Sequence, residues 1–117
     1  MTLYEILLLL KNPKVIVFFG SCETLVIRPN SIELVDDFKL YNKVVIDFLY
    51  VSNAHIKYYL FLFDQVIPGG YVAFDYWADE IIEIALKHFS QNSDWSLIDL
   101  RIPVLFRRKI VSHRMES

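Results

Sequence analysis

The chain has 117 residues, 55% of them hydrophobic, with nine Phe and seven Tyr. That length fits one domain and is too short for two, and the composition suits a packed core rather than a disordered segment. The formal net charge is −2, spread unevenly: residues 101–117 hold five Lys/Arg against one Glu.

That basic stretch is interrupted by "IPVLF" and "IVSH". It reads as the solvated edge of a last strand rather than a nucleic-acid or lipid tail, because its charges alternate with apolar residues. Cys22 is the only cysteine, which excludes an internal disulfide and fits a reducing, cytoplasmic setting. His55, His88 and His113 lack close metal-ligand spacing. A secretory pattern is not expected, since "YEILLLLKNPK" has neither a basic start nor a small-residue cleavage site. No apolar run reaches the roughly 18 residues of a membrane span.

In chain order, "LYEILLLLK" (3–11) reads as a short helix stopped by Asn12-Pro13, because proline disfavours the helical region for the residue before it. "KVIVFFG" (14–20) is an apolar, β-branched and aromatic run, as expected of a strand covered on both faces. Ser21, Thr24 and Leu25 suggest a brief helix. Arg28-Pro29-Asn30-Ser31 is a turn signal, after which Ser31 opens a second short helix through Phe38. "VVIDFLYV" (44–51) is the next buried strand. A helix is expected from Ser52 or Asn53, either of which suits an N-cap, through Ile67. Its face carries Ile56, Tyr59, Leu60, Phe63 and Ile67 at helical spacing. Its other faces are apolar too, which implies burial on several sides or a partner.

"GYVAFDYW" (70–77) follows Pro68-Gly69 as the third strand. Asp79 caps a helix, "EIIEIALKHF", with an apolar stripe of Ile82, Ala85, Leu86 and Phe89. Two final strands, "WSLIDLR" and "VLFRRKI", flank Pro103 as an antiparallel pair. The rhythm βαβαβαββ predicts an α/β, Rossmann-like, mostly parallel sheet closed by an antiparallel strand pair.

Four segments carry a resemblance. "VIVFFGSCETL" is similar to a strand and turn leading into an "ETL/DTL" segment. "VVIDFLYVS" is similar to a strand ending in "D-G-D-x-Y", and "VIPGGYVAFDYW" to a "GGYV-x-x-D-D-Y" strand. "IDLRIPVLFRRK" is similar to a closing strand pair. In that order they resemble the C-terminal half of class I S-adenosylmethionine-dependent methyltransferases. Within that group they resemble the macrocin O-methyltransferase-like family, which methylates sugar hydroxyls on macrolides. The resemblance covers roughly residues 14–109.

It implies a truncated methyltransferase-like domain using S-adenosylmethionine and Mg2+, with a sugar or small-molecule hydroxyl as methyl acceptor. By motif matching, Asp47 is the catalytic and first metal-ligating carboxylate, and Asp75 the second metal ligand. Ser21 and Cys22 fall where the cofactor's adenine would pass. The departures are specific. There is no G-x-G-x-G loop, Tyr76 stands where the family has the second aspartate of "D-D", and "D-G-D" has become "D-F-L". The domain is therefore expected to be incomplete or inactive alone, and the strand at 14–20 to pair directly with 44–51 or leave an exposed edge that invites dimerisation.

Each residue also has a plainer role. Asp47 reads equally as a strand-end carboxylate bonded to backbone N–H groups. Tyr76 and Trp77 could stack on a ligand ring or belong to the core rim. Cys22 could be a small buried apolar residue. His55 could be a base or a surface residue, and "RRK" at 107–109 an anion signal or a polar strand end. The alternative function is a non-catalytic α/β module that binds a protein partner, or a second copy, through its aromatic-rich segment 53–67. The slightly negative net charge disfavours nucleic acid.

Overall fold

Among the described residues, seven strands form one sheet in the order β3-β2-β1-β4-β5-β7-β6. The computed structural model describes residues 2–10, 13–20, 23–36 and 44–110. The fold is α/β, and its strands are β1 (Ile16–Phe19), β2 (Thr24–Arg28), β3 (Ser31–Val35), β4 (Ile46–Val51), β5 (Val66–Phe74), β6 (Trp95–Asp99) and β7 (Val104–Arg108). Only the β1–β4 and β4–β5 ladders are parallel. The other four are antiparallel, so the sheet is mixed rather than mostly parallel.

The first helix, α1 (Leu3–Leu9), starts with a capping box. The Thr2 hydroxyl accepts from the Glu5 N–H at 3.2 Å, and the Glu5 carboxylate accepts from the Thr2 N–H at 2.9 Å. Two of the free N–H groups of the helix start are thereby satisfied. The same bonds lower the Glu5 pKa, the Thr2 backbone bond contributing most. The chain turns extended at Leu10, ahead of Pro13. Next, β1 pairs directly with β4, Ile16 opposite Phe48 and Phe19 opposite Val51.

The two brief helices expected after Ser21 and Ser31 are not formed among the described residues. Residues 24–28 and 31–35 make an antiparallel hairpin, with Arg28 opposite Ser31 across Pro29-Asn30. "TLVIR" and "SIELV" are rich in β-branched residues and joined by a two-residue turn, which is hairpin chemistry rather than helix chemistry. Phe38 lies outside the described residues.

The single helix expected over 53–67 is divided. A 3-10 turn (Ala54–Tyr58) is followed by one turn of helix, α2 (Phe61–Asp64). Asn53 caps the first by accepting from the His55 N–H at 2.8 Å. Tyr59 then leaves helical space at φ −130°. Val66 is already in β5, because the Ile46 N–H donates to the Gln65 carbonyl at 3.0 Å and Ile46 pairs with Val66. Sheet pairing therefore takes the end of the apolar run away from the helix.

Pro68-Gly69-Gly70 lies within β5, not ahead of it. Ile46 faces Val66 but Phe48 already faces Tyr71, so these residues bulge out of the ladder. Proline is tolerated at such a bulge because no ladder N–H is required there. Gly69 has φ +85°. A Cβ on Gly70 would lie 2.8 Å from the Asp47 carbonyl oxygen and 2.9 Å from that of Ile67, so only glycine lets β4 approach.

The last helix, α3 (Asp79–Ala85), runs into a π-helical turn, Leu86–Ser90. Ala78, not Asp79, occupies the cap position. Asp79 and Glu80 fall in the first turn, where negative charge suits the helix dipole. Ile81, Ile84, Ala85 and Phe89 are buried, whereas Leu86 is exposed; the inward face is thus turned from the expected Ile82 stripe. β6 and β7 form the expected antiparallel pair, with β7 lying between β5 and β6.

The sheet's two faces are covered unequally. On one, Ile56, Leu62, Phe63, Ile81, Ile84 and Phe89 pack against Val17, Val51, Val72, Phe74 and Phe106. On the other, Ile6 of α1 lies over Phe48, Tyr71, Ala73 and Leu105. Phe89 is the hub of the first layer, stacked on Phe106 at 4.6 Å and edge-on to Trp95 at 4.6 Å and Phe63 at 4.9 Å. Deleting a fully buried aromatic side chain removes both transfer energy and packing. In urea unfolding, Phe89→Ala is expected to cost about 3–5 kcal/mol, and Tyr4→Ala on the exposed side of α1 to stay within about 0.5 kcal/mol.

Candidate functional site

In an open α/β sheet, ligands bind beyond the carboxyl ends of parallel strands. Here those ends belong to β1, β4 and β5, and a polar shelf joins them. The Ser52 hydroxyl donates to the Phe19 carbonyl at 3.1 Å. The Asn53 side chain donates to the Gly20 carbonyl. Gly20 itself turns tightly: its N–H donates to the Glu23 carbonyl at 2.9 Å, and a Cβ there would lie 2.7 Å from the Phe18 ring.

Asp75 stands one residue past β5, its N–H donating to the Val51 carbonyl at 3.0 Å. The Tyr50 hydroxyl donates to its carboxylate at 2.8 Å. The Tyr50 ring stacks on Phe18 at 5.3 Å, 11° from parallel. β1, β4 and β5 therefore all help to hold this carboxylate. Burial, and then the Asp75 hydrogen bond and charge, push the Tyr50 phenol well above its ordinary range.

Asp47 is at the other end. It is the second residue of β4, and its Oδ2 accepts from the Val15 N–H at 2.8 Å and the Lys14 N–H at 3.1 Å. This carboxylate ties the entry of β1 to β4. Asp75 is level with residue 52 of β4, five positions beyond Asp47, so at strand rise the two are about 16 Å apart. A magnesium ion coordinates oxygen at about 2 Å. Asp47 and Asp75 therefore do not fit one shared ion, contrary to the expectation from motif matching. No group of three or more metal-ligating side chains is found among the described residues.

The remaining candidates divide. Ser21 and Cys22 lie outside the described residues, as does His113. Tyr76 is exposed, and Trp77 packs on the Phe74 ring at 5.8 Å and joins the core rim. His55 is a surface residue edge-on to Tyr58 at 6.1 Å. His88 lies against the Phe63 ring at 5.8 Å. In "RRK", Arg108 donates to the carbonyls of Asp64 at 3.1 Å and Val66 at 2.6 Å, so it fastens α2 and the start of β5 to β7.

Sequence reasoning gave Arg107 no individual role. Its guanidinium lies over the Tyr71 ring at 5.5 Å, beside a cleft of about 250 Å³ at the amino end of β4 and β5. Asp47, Gly69 and Gly70 line the same cleft. The available signal was the period-2 spacing that puts Leu105 and Arg107 on one face of β7. Identifying it required knowing which strand lay beside β7.

No family model, curated protein or solved structure matches the chain. Nor is any described helix long and apolar enough to cross a membrane.

Hydrogen bonds to a charged group are worth about 1.5–3 kcal/mol. Asp47→Ala, which abandons the Lys14 and Val15 amides, is expected to cost about 2 kcal/mol on that basis, read by urea unfolding. Asp47→Asn, which keeps an acceptor, should cost less. Tyr50 gives a pH signature. Its folded-state pKa is raised, so its contribution is complete below the unfolded value of about 10 and is lost as the pH rises toward the folded value. Thermal unfolding should show the wild type losing stability above that pH relative to Tyr50→Phe. Parallel pH curves would contradict the Tyr50–Asp75 assignment.

Proposed function

We propose that the chain is a methyltransferase-like α/β domain that offers a small-molecule shelf at the carboxyl ends of β1, β4 and β5 but is catalytically incomplete by itself. The observation that carries this reading is Asp75, held at the carboxyl end of β5 by the Tyr50 hydroxyl at 2.8 Å. The parallel β1–β4–β5 core and closing antiparallel pair support it, as does the sequence resemblance to sugar O-methyltransferases. The separation of Asp47 from Asp75 supports the incomplete half of the proposal. A magnesium ion that orients an acceptor hydroxyl needs its ligands within one coordination shell, and these two are not.

The expected ligand is S-adenosylmethionine or its product S-adenosylhomocysteine. Titration of S-adenosylhomocysteine followed by amide NMR should give saturable shifts at Gly20, Ser52, Asn53 and Asp75, equal with and without magnesium. Methyl transfer from S-adenosylmethionine to sugar hydroxyls by the chain alone should be at background. Shifts absent from a folded sample would overturn the ligand assignment, and turnover by the chain alone would overturn the incompleteness.

A second reading, a non-catalytic protein-interaction module, rests on one observation. Among the described residues β3 is an edge strand of the sheet, and its Ile32 and Leu34 are 70% and 60% exposed. Unprotected apolar edges recruit other strands. On this reading light scattering would find a dimer that Ile32→Lys dissociates.

A further inference from the structure

We infer that the cleft at the amino end of β4 and β5, the opposite end of the sheet from Asp75, binds a small amphipathic monoanion: a carboxylate carried on an alkyl or aryl body. The cleft holds about 250 Å³, room for a body of several carbons. Beside a polar lining of Asp47, Arg107, Gly69 and Gly70 it has apolar walls: Leu9 and Leu10 at the end of α1, Ile67 and Pro68 from the β5 bulge, and Ile110 beyond β7. Those walls favour a hydrocarbon body over water.

Arg107 supplies the reason for a charge. Its Nε is buried and has no hydrogen-bond partner among the described residues. A charged group short of a partner is costly, and a carboxylate in the cleft that Arg107 lines would give its guanidinium one. The guanidinium is already fixed by the Tyr71 ring beneath it, which reduces the ordering cost of binding. Gly69 keeps the approach open: a Cβ there would stand 3.9 Å from an Arg107 terminal nitrogen and 3.3 Å from Ile110.

The neighbouring surface sets where the charge goes. A second cleft, of about 340 Å³, shares Arg107 and Ile110 with the first and adds Ser96 and Lys109. Two cations thus sit on the β7 side. Asp47 lines the β4 side of the first cleft, with Oδ2 already occupied by the Lys14 and Val15 amides. A carboxylate facing Arg107 and pointing away from Asp47 satisfies both walls. A phosphate dianion in the same cleft would meet about twice the repulsion from Asp47 that a carboxylate monoanion meets.

Octanoate is the probe, with octanol as the uncharged control and inorganic phosphate as the charge without a body. Amide NMR of the folded full chain should show saturable octanoate shifts at Gly69, Gly70, Tyr71 and Arg107, with Ser52 and Asp75 unmoved. Calorimetry should find octanoate binding weakened at least about tenfold by Arg107→Met, the loss of one charge-assisted contact. Octanol affinity should be unchanged by that variant, which keeps an apolar stem on Tyr71. Phosphate should not compete. The inference is overturned if octanoate produces no saturable shifts, if the shifts fall outside the cleft, or if Arg107→Met binds octanoate as the wild type does. Leu9→Glu, at a 43% exposed position on the cleft wall, should also abolish octanoate binding; unchanged affinity there would count against the site.

Discussion

The parallel ladder between β4 and β5 governs the rest of this structure. It is fastened at both ends by backbone hydrogen bonds, Ile46 N–H to the Gln65 carbonyl and Asp75 N–H to the Val51 carbonyl, each 3.0 Å. Between them the Pro68-Gly69-Gly70 bulge absorbs the extra length of β5, and Gly70 lets the Asp47 backbone come close. Parallel register leaves no freedom in where side chains emerge. Once it is set, Asp47 stands at the amino end and Asp75 at the carboxyl end.

Each carboxylate then acquires work suited to its end. Asp47 holds the backbone of residues 14 and 15 and so sets where β1 enters the sheet. Asp75 is presented at the end where α/β sheets meet ligands, braced by a tyrosine that is itself stacked on a β1 phenylalanine. The unequal covering of the two faces adds a second consequence. Only α1 lies over Phe48, Tyr71 and Leu105 among the described residues, and the space between its end and the β5 bulge is the cleft that contains Arg107. A braced carboxylate and a cleft-lining cation thus stand at opposite ends of the same ladder.

Much of this was legible in the sequence because β-branched and aromatic runs leave little choice. "KVIVFFG", "VVIDFLYV" and "GYVAFDYW" are strands, the first two pair directly, and the closing hairpin lies around Pro103 as expected. The failures share a cause. Ser21 with Thr24, and then Ser31, suggest helix starts around "TLVIR" and "SIELV", although the β-branched content of both favours a hairpin. The 53–67 run had helical spacing, yet its last residues pair with Ile46, a tertiary contact that local periodicity does not encode. The carboxylate pair misled for a related reason. Motif order placed Asp47 and Asp75 together, but the bulge and the parallel register, which decide the distance between them, are properties of the assembled sheet.

The register of β4 and β5 keeps a single metal ion from joining Asp47 and Asp75. Paramagnetic broadening tests it most directly, because manganese(II) relaxes only the amides near its binding site. With substoichiometric manganese, amides around Asp47 and those around Asp75 should not broaden together with one midpoint. Joint broadening of Val15 and Asp47 with Ser52 and Asp75, abolished by either Asp→Asn change, would contradict it and restore a shared metal centre.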